Sequence, residues 1–274
     1  MYKLFSVVIM FTVANAHAQY YFNDIVNNKL SRDNFQLLHK NAIKKVHVSS
    51  EDPDGTPTQG FSIDQQVEAN KVYTASKATF SNVSILTSNY GKYGWLASTI
   101  DSSDASVVET NFTYDESFQI THISSATHEN GETPILYSEE RTFTYNGNVP
   151  VSMLSVKNKK DTLQVKFIPE EHGWIGEERW YKKGRLAETF YYYYDDKGRI
   201  TDIARFDRKS QKILPDYTYE YNAQGKVITM AAIEPGSNYY RRWHYTYDER
   251  GLKTSETVYN KYKQLEGKVL YSYK

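Results

Sequence analysis

The sequence predicts a mainly β protein, an antiparallel meander of about eight β-hairpin repeats that forms a curved open sheet after a short helical N-terminal segment. Tyrosine, phenylalanine and tryptophan make up 15% of the 274 residues, and an aromatic motif recurs about every 26 residues from residue 90 onward. No long helical pattern separates the repeats, so consecutive strands are expected to pair as antiparallel hairpins.

The first 18 residues are predicted to be a secretory signal peptide. Lys3 precedes an apolar run over 4–13, and Ala16-His17-Ala18 offers small residues to a signal peptidase, so cleavage is expected before Gln19. A membrane anchor is the alternative, but ten helical residues span only about 15 Å of a ~30 Å hydrocarbon core. We therefore expect an exported protein, periplasmic or extracellular, with no transmembrane span after cleavage.

The composition excludes several classes of protein and site. Charged residues make up 24%, which argues against global disorder. Lys+Arg and Asp+Glu are 33 each, a balance that argues against nucleic-acid binding and gives no reason to expect attraction to acidic membranes. The absence of cysteine excludes disulfides, thiolate metal sites and a lipid-bearing cysteine. No cofactor is expected.

Residues 19–45 carry the helical signal. A helical apolar stripe at i, i+3, i+4 and i+8 consists of Phe22, Ile25, Val26 and Leu30. Ser31-Arg32-Asp33 is interpreted as a break with a capping residue, so a second short helix is expected from Phe35. Alternation begins at Val46, which predicts a β region with degenerate repeats over 46–110 and the repeat region over 111–274.

Each clear repeat has two aromatic residues two positions apart, then Asp or Asn, then Gly four positions after the second aromatic. Aromatics at i and i+2 share one face of a strand, Asp or Asn opens a turn, and Gly closes it in a left-handed conformation. The tyrosine rings are expected to pack in rows, with their hydroxyls reaching water. The defining residues are Tyr194, Asp195 and Gly198; Tyr221, Asn222 and Gly225; and Tyr247, Asp248 and Gly251.

This motif resembles the tyrosine-aspartate (YD) repeat of the RHS family, whose members are secreted or surface proteins. The segment 194–200 matches best, while Asn222 replaces the aspartate in the next copy and Leu252 comes one residue early in the third. The resemblance covers roughly 190–273, with weaker copies back to residue 90. It implies a long, curling β-sheet and supplies no catalytic residues.

No catalytic or metal-binding signature stands out. Adjacent carboxylates occur at Glu139/Glu140, Glu170/Glu171, Glu177/Glu178 and Asp195/Asp196. General acid–base chemistry needs two carboxylates that converge on one substrate, whereas neighbours on a strand point to opposite faces. The histidines show no metal-ligand spacing, and 52–55 is interpreted as a turn because the further calcium ligands are absent.

The best candidate binding surface consists of tryptophans near arginine. We single out Trp174, Trp180, Trp243, Arg241 and Tyr239, with Arg242 beside them. Odd-numbered residues of 239–247 share one strand face, and aromatic rings beside arginine suit a sugar or a protein partner. The alternative is that Trp243 packs beneath the sheet.

Together these features favour an exported, non-enzymatic binding or scaffold protein for an envelope or extracellular protein or glycan. Two alternatives remain: a secreted hydrolase of glycans or peptides, and a structural surface component that self-associates through its terminal strands. An outer-membrane barrel is disfavoured, because Asp202 and Arg205 put charge on both faces of one predicted strand.

Overall fold

The computed structural model describes residues 20–79, 81–207, 210–234 and 236–274. The predicted signal peptide lies outside the described residues. Among the described residues, no helix has the length and apolarity needed to cross a membrane. The helix is α1 (Phe22–Lys40), and a 3-10 turn spans Lys92–Gly94. The strands are β1 (Lys45–Glu51), β2 (Ser62–Val67), β3 (Lys71–Lys77), β4 (Ser84–Tyr90), β5 (Leu96–Ser102), β6 (Ser106–Tyr114), β7 (Ile120–Glu129), β8 (Ile135–Asn146), β9 (Val149–Lys157), β10 (Asp161–Pro169), β11 (Ile175–Lys182), β12 (Arg185–Tyr194), β13 (Ile200–Asp207), β14 (Lys212–Tyr221), β15 (Val227–Ile233), β16 (Tyr240–Tyr247), β17 (Lys253–Asn260) and β18 (Leu265–Tyr273).

The strands close into a barrel. Each strand pairs antiparallel with its neighbours in the chain, and β1 pairs with both β2 and β18. Val46 lies opposite Tyr273 on one side and opposite Gln65 on the other. The 18 strands therefore form one closed antiparallel sheet.

The prediction of a curved open sheet of about eight repeats is wrong, and so is the long, curling YD-repeat sheet that the RHS resemblance implies. Strands from 46–110 belong to the same sheet as the repeat region, which brings the first strand beside the last. Pairing β1 with β18 satisfies backbone groups that an open sheet would leave unpaired at its two edges. The antiparallel sense and the N-terminal helical segment agree with the sequence prediction.

The barrel has two distinct ends, because consecutive connections alternate between them. The turn end carries the connections from even to odd strands, including the Asp/Asn-Gly turns of the aromatic motif. The far end carries the connections from odd to even strands, such as 158–160 and 183–184. The β1 strand starts at the turn end, where Lys45 N–H donates to the Lys274 carbonyl across 2.8 Å.

The turns of the aromatic motif have the hydrogen bonds and backbone angles that their Asp and Gly residues predict. Asp195 Oδ1 accepts the backbone N–H groups of Lys197 and Arg199, both across 3.0 Å. Gly198 adopts φ 72°, a left-handed conformation in which a side chain would be strained. Asp248 accepts the N–H groups of Arg250 and Leu252 in the same way.

The second tyrosine of each motif anchors its hairpin to the preceding one. Tyr194 Oη donates to the carbonyl of Ile175, the first residue of β11, across 2.8 Å. The other bonds of this kind are Tyr114 to Leu96, Tyr145 to Ile120, Tyr221 to Ile200, Tyr247 to Val227 and Tyr273 to Lys253. The expectation that these hydroxyls reach water is therefore wrong.

The helix is continuous through the predicted break at 31–33. Lys29 and Asp33 form an i,i+4 ion pair across 2.7 Å, and the Ser31 hydroxyl bonds to the Tyr90 hydroxyl across 3.1 Å. Phe35 stacks on the Tyr90 ring with centroids 3.8 Å apart. Contacts with the inner face of the barrel thus carry the helix across a sequence that favours a break.

The core consists of two clusters joined by the helix. Near the helix start, buried residues include Tyr20, Tyr21, Phe143, Phe167 and Phe190. Towards the helix end, the second cluster contains Phe35, Leu38, Val46, Ile63, Leu252 and Val269. The helix therefore fills part of the interior of the barrel.

Candidate functional site

The β16 strand presents different chemistry to the two sides of the barrel wall. Trp243 is only 7% exposed and lies on the inner side, with Arg241 and Tyr245 on the same face. Arg242 and His244, which alternate with them, are exposed on the outer side. Tyr259 of β17 lies opposite Arg242, so its side chain is on the same outer side of the wall.

A groove of about 260 Å³ runs along this outer side. Its lining residues lie on β16, on β17 and in the loop from β17 to β18. The residues that line it are Tyr240, Arg242, His244, Tyr259, Asn260 and Lys263.

The groove combines aromatic rings with unpaired cations. The His244 ring packs edge-on against Tyr259, with centroids 5.5 Å apart, and the Arg242 guanidinium carbon lies 5.9 Å from the Tyr240 centroid. Within the described part of the chain, neither Arg242 nor Lys263 forms an ion pair, and the groove lining contains no carboxylate. The groove therefore favours an anion that also offers a surface for ring contacts.

Three of the residues predicted from the sequence lie on β16 or directly before it: Arg241, Trp243 and Tyr239. Arg241 Nε lies 2.7 Å from Glu266 Oε2, and Tyr239 Oη donates to Glu266 Oε1 across 3.0 Å. The Arg241 side chain is 42% exposed, whereas Trp243 is buried. Arg241 is thus a paired charge on the inner side, and a partner at this face remains a prediction.

The other two predicted residues lie elsewhere. Trp180 packs in the first core cluster and donates its Nε1–H to Glu178 across 2.6 Å. Trp174 lies at the turn end, stacked on His172 with centroids 5.1 Å apart. A Cβ added at Gly198 would lie 2.7 Å from Trp174 Cζ2, so the ring packs directly on that glycine backbone.

Glu178 holds the start of the helix. Its carboxylate accepts the backbone N–H of Tyr21 across 2.9 Å and that of Phe22 across 3.0 Å. Trp180 and Tyr192 donate two further bonds, both across 2.6 Å. Burial raises the pKa of Glu178, and the four donors oppose that effect. The carboxylate satisfies helix N–H groups that no local side chain caps.

Two more buried carboxylates of the barrel wall, Glu139 and Asp216, contact the helix or the residues just before it. Glu139 and Asp24 both pair with Arg141 across 2.9 Å. Burial acts to raise the pKa of Glu139, but its bond and charge contact with Arg141 lower it overall. Asp216 bonds to the Tyr20 hydroxyl and pairs with Arg205 across 2.9 Å. These groups form structural contacts with the segment that enters the barrel.

Of the four adjacent carboxylate pairs, the two that lie on strands separate onto the two sides of the wall. Glu139 faces inward, while Glu140 bonds to His122 Nε2 on the outside across 2.7 Å. Glu177 likewise pairs with Arg179, 2.6 Å away, while Glu178 is buried. In the described ranges, no group of three or more His, Asp or Glu residues could hold a metal ion.

Sequence reasoning singled out Arg242 but missed the five other residues of the groove. The signal was present in the period-two alternation of 239–247, where the even-numbered residues Tyr240, Arg242 and His244 form a second, more polar face. Tyr259 and Lys263 could not be added, because their position depends on the register between β16 and β17 and on the following loop.

No family model and no curated protein matches the chain. Three solved structures show low similarity. A Tc holotoxin pore of Photorhabdus luminescens is 14% identical with a TM-score of 0.35, and the alignment covers 78% of this chain and 12% of the toxin chain. A porin-like protein of Bacteroides uniformis is 11% identical with a TM-score of 0.43, covering 85% of this chain and 96% of the other. A porin-like protein of Bacteroides vulgatus is 11% identical with a TM-score of 0.32, covering 85% and 98%. At these values the likenesses carry no conclusion about function.

Proposed function

We propose that the protein is an exported, non-enzymatic binding protein that holds an acidic saccharide in the groove between β16 and β17. The observation that carries this proposal is the pair of unpaired cations, Arg242 and Lys263, beside the rings of Tyr240 and Tyr259 with no carboxylate in the lining. The sequence predicts an envelope or extracellular protein or glycan as the partner, and the groove favours one of these, an acidic glycan.

The groove chemistry suits a carboxylated sugar. The planar guanidinium of Arg242 can donate two parallel bonds to a carboxylate, and Lys263 adds a mobile point charge. Tyr240 and Tyr259 offer apolar ring faces with polar tips, which match the mixed surface of a sugar ring. A volume of about 260 Å³ is near the small end of ligand sites and suits one saccharide unit.

The outer wall supports a location in aqueous surroundings. A membrane-spanning barrel needs a continuous apolar band on its outer face. Here His122 and Glu140 form an outward pair, and so do His47 and Asp64, 2.8 Å apart on neighbouring strands. With the predicted signal peptide, this outer face supports a periplasmic or extracellular protein.

The experiment is a calorimetric titration of the 19–274 protein with two hexasaccharides, an alginate-derived polyuronate and the neutral cellohexaose. The proposal predicts that the polyuronate binds, that 0.5 M NaCl weakens its binding, and that cellohexaose binds at least tenfold more weakly. A Tyr240→Ala/Tyr259→Ala variant should also lose affinity. Equal binding of both saccharides, or no binding of the polyuronate, would overturn the proposal.

A further inference from the structure

We propose that the far end of the barrel, over the hairpin tips from β9 to β14, docks onto an anionic phospholipid surface. These three tips join β9 to β10, β11 to β12, and β13 to β14, and they are neighbours around the rim because β10 pairs with β11 and β12 with β13. We call the described residues of these tips, with the strand ends beside them, the basic arc. It is separate from the saccharide groove on β16 and β17.

The basic arc concentrates positive charge in a chain with a formal net charge of zero. Its six exposed cations are Lys159, Lys160, Lys182, Lys183, Arg185 and Lys212. Within the described residues, none of the six forms an ion pair with a carboxylate. Among the described residues of the basic arc, Asp161 and Asp207 are the carboxylates, so positive charge predominates.

Large apolar side chains stand exposed among these cations. Leu186 is 53% exposed, Ile213 43% and Leu214 41%. Phe206 is 38% exposed and lies opposite Ile213 on the neighbouring strand. A patch of this kind on a protein in water marks a surface that meets another apolar phase or partner.

The next tip along the same rim, beside the basic arc because β8 pairs with β9, provides an internal contrast. The tip joining β7 to β8 exposes Ile135 and Leu136, at 59% and 62%, but it is flanked by the exposed carboxylates Glu129 and Glu132. Apolar exposure at the far end is therefore not confined to the basic arc. Positive charge distinguishes the basic arc and gives it an orientation toward an anionic surface.

Anionic lipid is the partner that uses both properties together. Lysine and arginine are attracted to the headgroup phosphates, while leucine, isoleucine and phenylalanine enter the boundary with the acyl chains. A soluble polyanion such as nucleic acid would need the charges alone. The balanced total charge conceals this surface, because the compensating acidic residues lie elsewhere on the barrel.

The test is flotation of the 19–274 protein with vesicles of pure phosphatidylcholine or of phosphatidylcholine containing 30% phosphatidylglycerol. We expect binding to the anionic vesicles only, weakened in 0.5 M NaCl. A Lys182→Gln/Lys183→Gln/Arg185→Gln variant should bind about a hundredfold more weakly, because each cation near the surface contributes roughly fivefold. The matched control, Val83→Ser/Ile85→Ser, removes exposed apolar side chains near the tip joining β3 to β4, across the barrel from the arc, and should bind as the wild type does.

A second variant separates lipid docking from general attraction to polyanions. Phe206→Ser/Ile213→Ser should weaken vesicle binding at least tenfold while leaving binding to a 20-base-pair DNA duplex unchanged. Both substituted side chains are exposed, and far-ultraviolet circular dichroism checks that the barrel remains folded. Equal binding to neutral vesicles, or vesicle binding unaffected by either arc variant, would overturn this inference without affecting the saccharide titration.

Discussion

Arg241 and Arg242 are adjacent in the chain but lie on opposite sides of the barrel wall. Arg241 is paired with Glu266 across 2.7 Å on the inner side, whereas Arg242 lines the outer groove beside Tyr240. The alternation of one strand therefore gives two arginines different electrostatic environments. An arginine that is already paired with a carboxylate binds an incoming anion more weakly than an unpaired arginine does.

Closure of the barrel predicts a specific crosslink. His47 of β1 lies opposite Ser272 of β18, and both side chains are exposed. Residues paired across antiparallel strands have Cα atoms about 4.5–5.5 Å apart, within the range of a disulfide. We expect His47→Cys/Ser272→Cys to form an intramolecular disulfide under mild oxidation, seen as a faster band on non-reducing electrophoresis.

The chain contains no native cysteine, so no other thiol can interfere. The control is His47→Cys/Thr246→Cys, whose second position lies on the outer face of β16 and away from β1. The control should remain reduced as a monomer. Failure of the first pair to crosslink in folded protein would contradict pairing of β1 with β18.

A substitution of Trp243 tests whether the inner side of β16 is part of the core. Because the side chain is 7% exposed, Trp243→Ala should leave a cavity and lower the free energy of unfolding by about 3–5 kcal/mol. The measurement is a guanidinium denaturation curve followed by circular dichroism. Tyr193→Ala is the control, because Tyr193 is 46% exposed and should cost about 1 kcal/mol or less. Wild-type stability of the Trp243 variant would show that the side chain is not part of the core.

A substitution of Glu178 tests whether its carboxylate anchors the start of α1 to the barrel wall. Glu178→Ala leaves the N–H groups of Tyr21 and Phe22 and two side-chain donors without their acceptor, so stability should fall by roughly 3 kcal/mol or more. Native-state hydrogen exchange should show faster exchange along α1. The neighbour Glu177 faces outward, and Glu177→Ala should cost about 1 kcal/mol or less. Equal effects of the two substitutions would contradict the anchoring role.

Alkaline pH should unfold the barrel through its buried tyrosines. Burial raises the pKa of Tyr114 and of Tyr247 to about 12, above the ordinary value of 10.0 in the unfolded chain. Because the folded pKa is raised, this stabilisation is complete below pH 10 and is lost as the pH rises through about 12.

The difference in tyrosinate absorbance at 295 nm between the wild type and a Tyr114→Phe/Tyr247→Phe variant isolates these two hydroxyls, and in the wild type it should appear only above pH 11, together with the loss of circular dichroism. In denaturant the same tyrosines should titrate with a pKa of about 10. Ionisation of these two tyrosines near pH 10 in folded protein, seen in the same difference, would show that their hydroxyls are accessible to solvent.

Much of the local structure was predictable because it depends on residues close in the chain. Asp195 and Gly198 define a turn by their own hydrogen bonds and φ angle. The motif tyrosines were correctly placed on strands. Their hydroxyl partners, such as Ile175 for Tyr194, were not predictable, because they belong to the preceding hairpin and depend on how the strands are offset.

Closure and the groove depend on contacts between distant segments. Nothing in 46–110 or in the last strand indicates alone that Val46 lies opposite Tyr273. The continuous helix also depends on distant residues. Ser31-Arg32-Asp33 favours a break locally, but contacts with Tyr90 and the rest of the barrel keep the helix continuous. Tertiary contacts outweigh the modest differences in helix propensity.

The most direct test of the proposed function compares the two neighbouring arginines. Arg242→Gln and Arg241→Gln remove the same charge from adjacent positions, and calorimetry gives the affinity of each variant for the polyuronate hexasaccharide. Loss of a charge-assisted bond predicts at least tenfold weaker binding for Arg242→Gln, with Arg241→Gln within about twofold of the wild type. Equal weakening by both substitutions, or a larger loss for Arg241→Gln, would contradict the assignment of the outer groove as the binding site.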